Sequence, residues 1–586
     1  FREFRPGQRA LSVQAYRDLR DGTPALYQAA TGLGKTAGIL YPALKLLGEN
    51  RVRQIFYLTA KTSGQRSLTQ ALQQIAQSTQ PATASPPLRV LFLGARERQC
   101  FCGGATVEPC NWQQGYYDRL PDALLAFQQQ PLWHSDDLLQ LARRFNLCPH
   151  QLSRHLLPWV DLVIADFNYV FDPYARLQEH LDTHAKYSAL LVDEAHNLPE
   201  RARDMFSAQL QKPQLQAAAK QIKHAPLKRR FRQLLQQFPA SGTPQQAQEQ
   251  LPEALVNAVT LLAEEWLDWH AQQQWLVFPA ELFDTMMACV RFARRAQQWQ
   301  PEDRLISGGD DGNANPNTIE IFCTDPAPRL RVLSHAFSGC VFFSGSLLPL
   351  AFFAGALSDE PFSSQLNLPS PFPPQHQCTL VVPINTRFDA RAHSIAPIAE
   401  LITTAWQAKP GRYLVSFPSY PYLQDVLQYL QQQHPALPLL AQTSGTQQAD
   451  AFLQQLAQDR FLALVISGGS FAEGLDLQDN KLHGVIVIGT CMPPPSLQRE
   501  LIRQQADARL HNGFDFAYRF PGLNRVIQSA GRVIRSETDR GVVILADDRF
   551  TRADTRPQLP SHWHLQRVTR IKDLAKPLQE FWSAPV

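Results

Sequence analysis

The run Thr31-Gly32-Leu33-Gly34-Lys35-Thr36 puts two glycines, a lysine and a threonine between an apolar stretch and a helix-forming one. Such a turn aims successive backbone N–H groups at one point, and the positive end of the following helix favours negative charge there, so it reads as a phosphate cradle. Lys35 is placed to reach β- and γ-phosphates as a point charge, and the Thr36 hydroxyl to bind Mg²⁺. Ala29 stands where the general phosphate-loop template has glycine, so only the later Gly32 and Gly34 match it. A second run, Asp193-Glu194-Ala195-His196, follows the apolar stretch Ala189-Leu190-Leu191-Val192. A carboxylate ending a buried strand is costly unless something binds it. Asp193 suits Mg²⁺ and Glu194 suits activation of an attacking water, so the two motifs together predict nucleoside-triphosphate hydrolysis. Helix capping explains the carboxylates alone but not the pair of motifs.

A phosphate loop also serves transporters, switches and kinases, so a partner site must distinguish them. Near the C-terminal end, Gln528-Ser529-Ala530-Gly531-Arg532-Val533-Ile534-Arg535 reads as helix, which would put Gln528, Arg532 and Arg535 on one face. Two arginines there can meet a γ-phosphate across a cleft. The loop Gly468-Gly469-Ser470-Phe471-Ala472-Glu473-Gly474-Leu475-Asp476 adds two carboxylates after an apolar run and suits a hinge. Four cysteines, Cys100, Cys102, Cys110 and Cys148, fall in one short stretch. Four thiolates suit either zinc or an iron–sulfur cluster, and their spacing does not separate the two. Cys289, Cys323, Cys340, Cys378 and Cys491 are scattered among apolar neighbours and read as core.

These residues need two frameworks. Apolar runs at 25–27, 55–59, 161–165 and 189–192 alternate with turn and helix signals, the pattern of a parallel sheet with crossover helices. Residues 200–305 turn Gln- and Ala-rich with helical periodicity and are expected to be a helical insertion, closed by a Gly/Asp/Asn-rich loop at 307–317. Strands are expected to return to the first unit at 318–323 and 339–343. After a Pro-rich connection at 369–374, a second series follows at 412–417, 463–467, 484–488 and 541–545.

With 586 residues, 44% apolar and 18% charged, the chain has the material for several packed units and is not disordered. A net charge of +4 argues neither for nor against nucleic acid, which needs a local basic stripe. Arg96, Arg98, Arg119, Arg143, Arg144 and Arg154 make the region of the clustered cysteines basic, and Trp112, Tyr116, Tyr117, Phe167 and Tyr169 supply rings, most of them expected in the core. No apolar run reaches the roughly 18 residues of a membrane span, and Phe1 does not open a signal pattern, so a cytoplasmic location with no membrane partner is expected.

Phe4-Arg5-Pro6-Gly7-Gln8 resembles the nucleotide-base motif of the XPD/DinG branch of superfamily 2 helicases, residues 59–65 its first DNA-contact motif, and Asp193-Glu194-Ala195-His196 its DEAH box. Ser344-Gly345-Ser346-Leu347 resembles its coupling motif, usually Ser-Ala-Thr-Leu, with departures at Gly345 and Ser346; residues 413–420, 468–476 and 528–535 resemble the later motifs. Cys148-Pro149 and Gly115-Tyr116-Tyr117-Asp118-Arg119 also look like the family's cluster region. The resemblance implies an α/β fold of two RecA-like parallel-sheet motor domains, with an Fe–S insertion and a helical arch insertion in the first. The expected segments are 1–95, 156–200 and 318–365 for the first motor domain, 96–155 for the Fe–S insertion, 201–317 for the arch and 366–586 for the second motor domain. It further implies ATP with Mg²⁺, Gln8 at the base, and a [4Fe–4S] cluster on Cys100, Cys102, Cys110 and Cys148. The implied activity is 5′ to 3′ movement on single-stranded DNA and unwinding at duplex junctions in repair or replication, by a monomer. Two other readings are a nuclease regulated by an ATPase and a redox-responsive DNA-binding ATPase. The sequence lacks a clustered metal-carboxylate nuclease site, and its joint possession of Lys35, Glu194 and Arg535 argues against the second.

Overall fold

The computed structural model describes residues 4–30, 32–60, 68–73, 88–102, 112–129, 135–273, 278–309, 317–443, 452, 454–456, 458–468 and 481–585. Thr31, Cys110, residues 61–65 of the first DNA-contact motif and residues 469–476 lie outside them.

Two seven-stranded parallel sheets form the lobes. The first runs, in spatial order, Ser364–Leu368, Ala25–Ala29, Gly339–Ser344, Ser188–Asp193, Gln54–Leu58, Leu162–Ala165 and Val90–Phe92. The second runs Leu439–Ala441, Phe461–Ile466, Arg412–Phe417, Gly484–Ile488, Gly541–Ala546, Gln377–Val382 and Leu565–Arg567. Every residue of Ala25–Ala29, Gln54–Leu58, Ser188–Asp193 and Gly339–Ser344 is buried, because helices cover both faces; this is why these strands are continuous apolar runs and not alternating ones. Both lobes thus put their strand ends, where ligands bind in open parallel sheets, at loops that carry the motifs. The helices Tyr116–Gln129, Ser135–Arg144 and Pro149–Leu156 branch off between Val90–Phe92 and Leu162–Ala165 and carry the cysteine region.

The insertion departs from expectation. Helices Lys212–Gln221, Ala225–Leu235, Glu253–Gln272 and Ala280–Gln297 are joined by a four-stranded antiparallel sheet in the order Ala208–Gln211, Thr318–Cys323, Asp303–Gly309, Thr243–Gln248. It is therefore a mixed unit. Strand Thr318–Cys323, expected in the first lobe, belongs to this sheet and pairs with Asp303–Gly309, which also absorbs the start of the expected 307–317 loop. A short apolar run does not declare which sheet it joins, and the polar strand Thr243–Gln248 is an edge strand whose alternate residues are exposed.

This insertion also touches the second lobe. Ile306 and Phe322 pack with Leu501, Ile502, Ala517 and Tyr518, flanked by ion pairs Arg499–Glu200 at 2.9 Å and Arg509–Asp325 at 2.8 Å. At its root, Asp303 is fully buried between Arg295 at 2.6 Å and Arg329 at 2.8 Å. Among the described residues no helix is long and apolar enough to cross a membrane.

Candidate nucleotide site and cysteine cluster

Strand Ala25–Ala29 ends in the phosphate loop, and helix Lys35–Gly48 begins at once after Gly34. Gly32 and Gly34 have φ of 86° and 79°, the left-handed region that glycine enters without a Cβ penalty. A Cβ on Gly34 would lie 2.5 Å from Gln8 Nε2. The loop is braced from the N-terminal motif: Gln8 Nε2 donates to the Gly34 carbonyl at 3.1 Å, and an Arg5 guanidinium nitrogen to the Gly32 carbonyl at 2.7 Å. Gln8 is buried against the loop.

Asp193 closes its strand beside Gln54–Leu58, whose Tyr57 hydroxyl donates to Asp193 Oδ2 at 2.6 Å. The Glu194 amide donates to Asp193 Oδ1 at 2.8 Å. Burial, then the Glu194 charge, pushes the Asp193 carboxyl up to about 7, while Tyr57 and Lys35 oppose the rise. A carboxylate kept at such cost suits a cation. The Thr36 hydroxyl lies beside the same Tyr57 phenol, so the two expected Mg²⁺ ligands meet at one tyrosine.

Glu194 has a left-handed φ of 52°, which turns its side chain away from Asp193 towards the neighbouring strand Gly339–Ser344. There the Ser344 hydroxyl donates to Glu194 Oε2 at 3.0 Å, and His196 Nδ1 lies 2.7 Å from Ser344 Oγ and 3.1 Å from Ser346 Oγ. With Ser344 donating to Glu194, Nδ1 carries the proton that Ser344 accepts. The Gln28 carboxamide holds the loop after the strand, donating to the Gly345 carbonyl at 2.9 Å and accepting from the Leu347 amide at 2.5 Å. The Ser346 carbonyl accepts from Asn524 Nδ2 of the second lobe, and Asn524 Oδ1 accepts from Gln528 Nε2 at 2.5 Å. A hydrogen-bonded series therefore runs from Glu194 through Ser344, His196 and Ser346 to Asn524 and Gln528. Of the two positions where the motif departs from its usual residues, Gly345 is held through its carbonyl by Gln28, whereas Ser346 joins the series through both its hydroxyl, to His196, and its carbonyl, to Asn524.

Gln528 lies on helix Phe520–Ala530, but this helix stops at Gly531, so Arg532 and Arg535 stand on the loop beyond it and share no helical face with Gln528. The expected continuous helix is corrected here; a glycine at a helix end is a stop signal that spacing alone overlooks. Asp539 shapes the loop, accepting from the Arg535 and Ser536 amides at 2.8 Å each. The Arg535 carbonyl reaches the phosphate loop, 3.2 Å from where a Cβ of Gly32 would stand. Tyr57, Gln28 and Asn524 were missed in the sequence, since each is a strand or helix residue whose role exists only through a neighbour, whereas Ser344 was named there within the coupling motif.

Cys100 Sγ is 3.8 Å from Cys148 Sγ, and Cys102 lies near enough to act on the Cys100 thiol. Cys148 opens helix Pro149–Leu156, and its amide is tied to the Trp112 carbonyl at 3.1 Å. Burial, then the adjacent Cys148, pushes the Cys100 thiol up to about 12. Two thiolates that close are costly without a cation between them; among the described residues, which leave out Cys110, no group of three or more His, Cys, Asp or Glu side chains is placed to hold a metal ion. Burial likewise raises Cys289, Cys323, Cys340, Cys378 and Cys491, which lie apart from it. Of the rings near the cluster, Tyr116 and Phe167 are core and Tyr117 is exposed.

A family model described as Helicase C-terminal domain matches residues 402–566, and another described as DEAD_2 matches residues 102–215. Regulator of telomere elongation helicase 1 of Bos taurus is 24% identical over 81% of this chain and 49% of its own length, so the chain spans about half of that relative. The general transcription and DNA repair factor IIH helicase subunit XPD of Dictyostelium discoideum is 21% identical over 96% of this chain and 87% of its own. A solved structure named XPD_Helicase superposes with a TM-score of 0.68 at 18% identity, covering 97% of this chain and 100% of that one, a likeness of fold.

Proposed function

The chain belongs to the XPD/DinG-like family of superfamily 2 helicases, and from that premise we propose that it is an ATP-driven motor that moves 5′ to 3′ on single-stranded DNA and opens duplex junctions. The observation that carries this reading is the hydrogen-bonded series from Glu194 to Gln528, because it joins the hydrolytic carboxylate of one lobe to the other lobe.

In this reading the N–H groups at Gly32 and Gly34 and the Lys35 ammonium receive the ATP phosphates, and Gln8 keeps the loop in shape. Thr36 and Asp193 would hold Mg²⁺, which would neutralise phosphate charge. Glu194, oriented by Ser344, holds and deprotonates the attacking water. Arg532 and Arg535 approach the γ-phosphate and stabilise the charge that develops on it. When Glu194 changes partners, Ser344 and His196 lose theirs, and the shift reaches Asn524 through the Ser346 carbonyl; lobe movement then steps the strand. Cys100, Cys102, Cys110 and Cys148 would hold a [4Fe–4S] cluster, which would cross-link the segments that carry them. We place the protein as a monomer in DNA repair or replication, in the cytoplasm.

ATP turnover of the purified chain with and without single-stranded DNA, alongside displacement from a duplex with a 5′ overhang, tests this. Stimulated turnover with displacement is expected. Turnover indifferent to DNA would overturn it.

A further inference from the structure

The linker between the lobes is short and stiff. Strand Ser364–Leu368 ends level with the root of the phosphate loop, Leu368 pairing with Ala29 and its carbonyl accepting from the Ala30 amide at 3.4 Å. Nine residues later, Gln377 pairs with Gly541, the first residue after the loop that carries Arg532 and Arg535. The linker therefore starts at one catalytic loop and ends beside the other. Pro369, Pro371, Pro373 and Pro374 lie within it. Each fixes its own φ, and each restricts the residue before it to extended backbone, so this connection transmits displacement and does not absorb it.

One side chain of the linker is buried in the cleft. Phe372, between Pro371 and Pro373, is only 8% exposed. A Cβ added to Gly32 would lie 2.0 Å from Phe372 Cζ and 3.2 Å from the Arg535 carbonyl oxygen. The ring thus rests on the bare face of Gly32, the same face that the arginine loop approaches. A glycine is required there twice over, by its left-handed φ and by the ring.

We propose that Phe372 is a positioning residue for ATP hydrolysis: the linker seats its ring on Gly32, and this contact sets how closely the loop of Arg532 and Arg535 meets the phosphate loop. This rests on the ATPase reading above. Binding of ATP depends on N–H groups and Lys35, whereas transition-state stabilisation depends on where the arginines stand. A misplacement of about 1 Å can cost on the order of 10²-fold in rate. Removing the ring should therefore lower kcat and spare KM, the signature of an interaction made only in the transition state.

Steady-state ATPase with saturating single-stranded DNA, together with thermal midpoints, on wild type, Phe372→Leu and Phe372→Ala decides this. The account expects kcat to fall at least tenfold in Phe372→Ala, less in Phe372→Leu, with KM for ATP within about threefold and a folded protein in both. A folded Phe372→Ala with wild-type kcat, or with KM raised in place of a lowered kcat, would overturn it. Should Phe372→Ala not fold, Phe372→Leu carries the same decision. Wild-type protein without ATP turnover would overturn the parent reading and this one with it; wild-type turnover beside an unaltered variant overturns this one alone.

Discussion

Asn524, on a helix of the second lobe, donates its side-chain amide to the Ser346 carbonyl of the first, and its own carbonyl accepts from Gln528 at 2.5 Å. One side chain thereby joins the two polar networks. Asn524→Ala leaves the buried Ser346 carbonyl and the Gln528 amide unsatisfied, at about 1–3 kcal/mol. We expect strand displacement to fall about tenfold or more while binding of a fluorescent ATP analogue stays near wild type. Equal losses of both would mean that Asn524 serves folding and not coupling.

Tyr57 is the second test. Its hydroxyl donates to Asp193 and favours the charged form, opposing a carboxyl already pushed up by burial. Removing that donor in Tyr57→Phe raises the carboxyl further. Activity that needs ionised Asp193 then loses its acidic limb at higher pH than wild type does. A pH–rate profile of both proteins checks the direction; an unmoved acidic limb contradicts the role given to Tyr57.

Much of this site was legible in the sequence because phosphate loops and acidic strand ends are local: Gly32 to Thr36 and Asp193-Glu194 each need only their own backbone. The second lobe was less so. Gln528, Arg532 and Arg535 were grouped by helical spacing, yet Gly531 ends the helix, and the arginines stand on a loop that Asp539 holds. Thr318–Cys323 looked like a first-lobe strand because a six-residue apolar run carries no label for its partner. Gln28 and Asn524 gave no signal at all, their polarity being spent on carbonyls far away in the chain.

Asp303 tests the insertion. It is fully buried and pairs with Arg295 and Arg329. Asp303→Asn strands two guanidinium groups in the interior, and breaking a buried pair in this way costs about 3–5 kcal/mol. Limited proteolysis should cut the insertion at a temperature at which the wild-type insertion survives. Unchanged protection would mean that the triad is solvated.

The cysteine cluster is tested by metal content. The account expects iron at about four atoms per chain in the purified protein and its loss, with strand displacement, in Cys148→Ser. A single tightly held zinc in place of iron would correct the centre's identity. Full displacement by metal-free Cys148→Ser would show the centre to be dispensable.

The central claim is that hydrolysis at the Lys35 cradle drives strand separation. Displacement of a 5′-overhang duplex by Lys35→Ala, measured beside wild type with ATP, tests it most directly. The account predicts loss of both ATP turnover and displacement in a protein that still folds. Displacement retained at wild-type rate without turnover would contradict it.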